Sequence, residues 1–222
     1  MHISDLGSFE YLRYNFHMDK IMDSGRSKRY ARAFATDDEQ IKKAISASRM
    51  HIFSKKQKDS EYKLFIPFIT DILDKTENKI EKAIIFDEKG KKIFEKYGTK
   101  SSVSFTIQEL NQMSGYRLIH NHPSGNTLSY QDIVLAINSR LKEIIAISDK
   151  YIYRLKISKT LNIDEIAVKY KEAKMIAEPA SLRLYKKSLF TKEQLKLEFE
   201  HMIMSIFSDI TKGVSYEQTK YK

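Results

Sequence analysis

With 222 residues, 41% of them hydrophobic and 31% charged, and only three prolines and seven glycines, the chain can bury a real core, which excludes disordered and fibrous classes. It contains no cysteine, which excludes disulfides, thiolate metal sites and cysteine nucleophiles and leaves His, Asp and Glu as the available metal ligands. The net charge of +10 is spread thinly along the chain rather than gathered in a basic tail, so charge alone does not make this a nucleic-acid binder. The first residues hold no apolar run of signal-peptide length, and nowhere do 18 apolar residues follow one another. A cytoplasmic protein with no membrane partner is expected.

Residues 1–35 are weakly patterned and read as an arm. Their densest basic cluster, Arg26, Lys28, Arg29 and Arg32, is either a solvated surface or a patch that touches nucleic-acid phosphate. Thr36-Asp37-Asp38-Glu39 is a capping box, and Ile41, Ala44, Ile45 and Ile52 follow at helical spacing, predicting a helix over 37–54. In YKLFIPFITDILDK, Pro67 is expected to open the second half of the segment, giving a helix over 67–76. IEKAIIFD, the turn residues Glu88 to Lys91 and the resumption at Ile93-Phe94 read as a β-hairpin.

Ser102-Val103-Ser104-Phe105 alternates like a strand. Thr106-Ile107-Gln108-Glu109 is a second capping box, opening a short helix that ends near Gly115. YRLIH is a strand, the loop from Asn121 to Leu128 is polar, and Ser129-Tyr130-Gln131-Asp132 starts another helix. Strands are expected over Glu143–Ser148 and Tyr151–Ile157. Beyond 160 the chain reads as helical, with Pro179 separating two segments and a third capping box at Thr191. Leu195, Phe199, Ile203, Ile206 and Ile210 make one apolar stripe, which either docks on the core or forms a homodimer contact. The expected organisation is an arm and helix over 1–58, a core over 59–160 and a helical extension over 161–222.

His120 and His122 carry the chemistry. Two apart at a strand end, they project to the same face and can grip one ion. Ser129 and Asp132, three apart in the first turn of the next helix, share a face as well. Two imidazoles and a carboxylate match a catalytic zinc that leaves its fourth position to water. His2, His17, His51 and His201 read as ordinary surface or core residues. Ser129 is a plain helix cap, a catalytic residue, or both. Water activation also needs a base outside the metal's own ligands. Glu81 is either the base, since its face-mates Ala83 and Ile85 look buried, or simply an exposed residue at a strand end; Glu77 and Asp87 are alternatives, and Glu88 reads as a turn residue.

Glu81, His120-x-His122-Pro123 and Ser129-x-x-Asp132, in this order, resemble the JAMM (MPN+ or JAB) metalloprotease superfamily. The wording HNHPSG is similar to its RadC-like branch, and closer to the JAB-like domains of phage head-morphogenesis proteins and polymorphic toxins. AIIFDEKGKKIFEKYGTKSSVSF, with its D-x-x-G hairpin, fits that last group. The resemblance covers residues 77–158. It implies an α/β (α+β) fold with a curved mixed sheet flanked by helices. It further implies zinc on His120, His122 and Asp132, Glu81 as general acid/base, and Ser129 steadying an oxyanion. The implied activity is cleavage of a peptide or isopeptide bond by a zinc-activated water, with a protein or peptide substrate. From His122 to Asp132 the chain is one residue shorter than in RadC and in eukaryotic-type isopeptidases. Two other functions stay open: a RadC-like DNA-associated accessory protein, and a phage or mobile-element assembly factor or toxin module whose site binds metal.

Overall fold

The computed structural model describes residues 62–77, 79–186 and 192–220. The expected arm, the helix over 37–54, the cluster from Arg26 to Arg32 and the Thr191 capping box lie outside those residues. In chain order the elements are α1 (Tyr62–Thr76), β1 (Lys82–Phe86), β2 (Lys92–Tyr97), α2 (Ile107–Gln112), β3 (Arg117–Asn121), α3 (Tyr130–Asn138), β4 (Glu143–Ile147), β5 (Tyr151–Ile157), α4 (Ile163–Lys186), α5 (Lys192–Ile210) and β6 (Val214–Lys220). The described residues therefore form a mixed α/β fold with a six-stranded sheet and five helices. No described helix is long and apolar enough to cross a membrane.

The strands lie in the order β2-β1-β3-β4-β5-β6, and only the β3–β4 pair is parallel. A parallel neighbour cannot be reached by a hairpin, so the chain crosses over through α3. β1 and β4 are buried on both faces, as their unbroken apolar runs require. On one face Ile84, Phe86, Ile119, Ile145, Ile147 and Ile152 pack against Phe65, Ile69 and Ile72 of α1. Lys82 is buried on this face too, its Nζ 2.5 Å from Asp71 of α1 and 3.1 Å from Glu95 of β2, which ties the helix to the hairpin. Arg154, with Nε 2.9 Å from Glu143 Oε1, lies over the Phe65 ring. Ala83, Leu118 and His120 point to the opposite face.

The hairpin turn follows its sequence. Asp87 Oδ1 accepts from the amides of Lys89 and Lys91, and Gly90 adopts φ 80°, a conformation that side chains disfavour. The capping box expected at Thr106 forms with Glu109, and the helix start expected at Ser129 is closed as a capping box by Asp132.

Four expectations are corrected. α1 begins at Tyr62 and contains Pro67; the missing N–H falls within its first two turns, while Phe65, Ile69 and Ile72 anchor both halves to the sheet. Residues 102–105 form no strand; Phe105 instead lies beneath the Lys96 ammonium, 5.6 Å from it. Pro179 lies inside the continuous α4. Ile176, Ala177, Ala180 and Leu184 are all buried around it, and their packing outweighs the roughly 3 kcal/mol that an interior proline costs. The extension is not wholly helical, since β6 pairs with β5 from Tyr151↔Lys220 to Ile157↔Val214.

Candidate metal centre

β3 ends where the site begins. Its alternation sends Ile119 into the α1 core and His120 to the other face. The chain then stays extended for one residue more, because the His122 amide donates to Ile147 O of β4 at 2.7 Å. Both imidazoles are buried. Their Nε2 atoms lie 2.8 Å apart, with the rings edge to face.

The loop after His122 fixes which nitrogen carries its proton. Gly125, at φ 80°, donates its amide to His122 O and turns the chain. Asn126 O and Thr127 O then stand 3.1 and 3.0 Å from His122 Nδ1. Carbonyls only accept, so Nδ1 donates to them and Nε2 is the nitrogen that faces His120 and Asp132.

Asp132 arrives from the first turn of α3. Its Oδ2 accepts from the Ser129 amide at 2.6 Å and from the Ser129 hydroxyl at 2.8 Å, while Ser129 Oγ accepts from the Asp132 amide at 3.2 Å. Oδ1 is 3.3 Å from His120 Nε2 and Oδ2 is 3.6 Å from His122 Nε2. Burial alone would raise the Asp132 carboxyl, but His120, His122 and the Ser129 amide overcome it and hold the group well below the usual carboxylate range. One ligand atom from each of His120, His122 and Asp132 lies within 4.8 Å of the other two. The fit to a cation rests on this donor chemistry: two imidazole nitrogens and one carboxylate suit zinc and leave a fourth position open.

Glu81 lies just before β1 and is 9% exposed. β1 pairs with β3 through Ala83↔His120, and carrying that register two residues further sets Glu81 across from His122. Its backbone is held by the β2 end, with its amide donating to Thr99 O at 2.7 Å and its carbonyl accepting from Gly98 at 2.8 Å. Burial pushes its carboxyl up to about 7, with His122 pulling down and Asp132 pushing up. The alternatives stand elsewhere. Glu77 is exposed and bonded to Lys79, Asp87 belongs to the hairpin turn, and Glu88 bonds Lys142.

The Ser129 hydroxyl donates its one hydrogen to Asp132, so it caps α3 and anchors the carboxylate; contact with an oxyanion requires it to turn. One contributor escapes the sequence reading. Asn121, fully buried between the histidines, accepts from the Lys82 amide at 2.8 Å and donates to Ile80 O at 2.9 Å. A single amide thus grips the chain on both sides of Glu81. The signal was present as a polar residue whose strand position faces inward, but nothing in the motif says where its amide goes.

Compared with family models, with curated proteins and with solved structures, the chain gives no match.

Proposed function

We propose that the chain is a zinc-dependent hydrolase of the JAMM kind, cutting a peptide or isopeptide bond, and that its sheet with flanking helices is of the JAB/MPN type. One observation carries this reading. Two buried imidazole nitrogens 2.8 Å apart, with a carboxylate beside both, converge where only a proton or a cation can lie between them. The order of the parts, a glutamate before β1, the histidines at the end of β3 and the aspartate in the first turn of α3, supports the same reading.

When bound there, zinc supplies Lewis acidity toward a carbonyl oxygen and lowers the pKa of water. The chain's own residues do the rest. Asp132, its carboxyl held well below the usual range, balances cationic charge, and the Asn126 and Thr127 carbonyls hold His122 by Nδ1 so that Nε2 is the nitrogen turned toward the site. In the metal-free chain burial pushes the Glu81 carboxyl up to about 7, which places a group able to hold a proton beside the ligands. It can accept a proton as base and return it to a leaving amine as acid. Asn121 keeps it beside His122.

The test is metal content by mass spectrometry on the wild type beside His122→Ala and Glu81→Gln. About one zinc per chain is expected in the wild type. His122→Ala should lose it and Glu81→Gln should keep it while losing peptide-bond turnover. A wild type that takes up no zinc removes the reading, and a fully active Glu81→Gln removes the role given to Glu81.

A further inference from the structure

The loop that fixes His122 is itself held from the far edge of the sheet. Thr127 is 2% exposed, and besides the carbonyl it offers to His122 Nδ1 at 3.0 Å, its Oγ1 lies 2.7 Å from the Tyr216 hydroxyl. Tyr216 belongs to β6, where it pairs with Leu155 and sits between exposed neighbours on the inward side of an alternating strand. Its hydroxyl has a second partner, His201 Nδ1 of α5, at 2.9 Å, and the His201 ring leans on the Tyr216 ring at 5.4 Å between centroids. His201 is itself buried. A continuous path therefore runs from α5 to β6 to the 126–127 peptide and on to His122.

A phenol hydroxyl offers one hydrogen and accepts in return. Burial raises the Tyr216 hydroxyl well above its ordinary value, so it stays protonated and can serve both neighbours at once. Its two contacts fix the side chain of Thr127, and a fixed Thr127 leaves its carbonyl aimed at one ring nitrogen. With Asn126 O, that carbonyl holds a hydrogen on His122 Nδ1 and so turns Nε2 toward the site as the ligand atom.

We propose that α5 and β6 are working parts of the metal centre, with Tyr216, oriented by His201, as a positioning residue that sets the His122 tautomer and ring angle through Thr127. This rests on the reading of His120, His122 and Asp132 as zinc ligands. The segment after residue 160 thus tunes zinc affinity as well as completing the fold.

The experiment measures zinc dissociation constants by competition with a chromophoric chelator for the full chain, Tyr216→Phe, Thr127→Val and the double variant, and the melting temperature of each apoprotein. Partners one step outside the ligands alter affinity by roughly 10 to 100-fold; one further step out, Tyr216→Phe should weaken zinc by about three- to tenfold. Thr127→Val should match it, and the double variant should be no weaker than the worse single, because both cut one link. In 15N spectra of the apoproteins the His122 ring-nitrogen shifts should move from the Nδ1–H pattern toward a tautomer mixture in each variant, a change that a lower melting temperature alone does not produce. If the wild type binds zinc and Tyr216→Phe binds it within twofold, or the two effects simply add, the proposal falls while the metal site stands. If the wild type binds no zinc, both fall together. Should Tyr216→Phe fail to fold, Thr127→Val decides by the same criteria.

Discussion

At the scale of single residues, Glu81 is held in a conflict that a titration can read. Its carboxyl is raised from 4.5 to about 7, chiefly by burial, so the folded state binds a proton more tightly than the unfolded chain does. Stability from this group is complete below about pH 4.5, falls as pH rises toward 7 and stays low above it. Glutamine mimics the protonated form and does not titrate. Metal-free Glu81→Gln should therefore match the wild type near pH 4.5 and exceed it at pH 8 by on the order of 2 kcal/mol, after discounting for solvent at the site mouth. Urea melts of the two apoproteins at both pH values measure the difference directly. A gap that stays constant between them means that Glu81 is solvated and its pKa ordinary. Such a glutamate is legible in sequence as a charge at the head of an apolar strand. Asn121 is not, because its role lies in two backbone groups about forty positions upstream that only strand pairing brings alongside.

At the scale of elements, the α3 cap and the metal ligand are one device. Ser129 caps the helix and Asp132 closes the box, so the geometry that satisfies the first-turn amides also aims the carboxylate at the histidines. Ser129→Ala should cost about 1 kcal/mol of stability, the usual worth of such a cap. It should also weaken zinc binding by roughly tenfold, since Asp132 Oδ2 keeps the backbone amide but loses the hydroxyl. Ser129→Thr restores the hydroxyl and should restore both properties. If alanine leaves stability and zinc affinity unchanged, the box only decorates the helix. Caps are local, and the box at Thr106 and the helix start at Ser129 could be read from four residues each. Proline is a local signal as well, yet at Pro67 and Pro179 tertiary packing prevailed over it, with apolar residues on both sides seated in the core. Periodicity alone could not weigh those contacts against a missing hydrogen bond.

At the scale of the whole molecule, the part of the chain hardest to read is the part that closes the sheet. VSYEQTK is too polar to announce a strand, and it becomes one because β5 presents an unpaired edge alongside it. The apolar stripe before it was readable as a stripe but not as to what it covers. Leu195, Phe199, Ile203 and Ile206 are all buried within the chain itself, together with Met202, Met204 and Phe207. Each such side chain is worth about 1.5–3 kcal/mol when fully buried, so together they match or exceed the roughly 5–15 kcal/mol by which a domain is stable. Deleting residues 190–222 should therefore abolish folding rather than merely separate subunits. The deletion also strips β6 from β5 and exposes a long strand edge, so the truncated chain should be insoluble or, if soluble, lack near-ultraviolet circular dichroism and a cooperative melt. A truncated protein that melts cooperatively and runs at a smaller oligomeric size would show the opposite: that α5 serves association and the fold ends near residue 186.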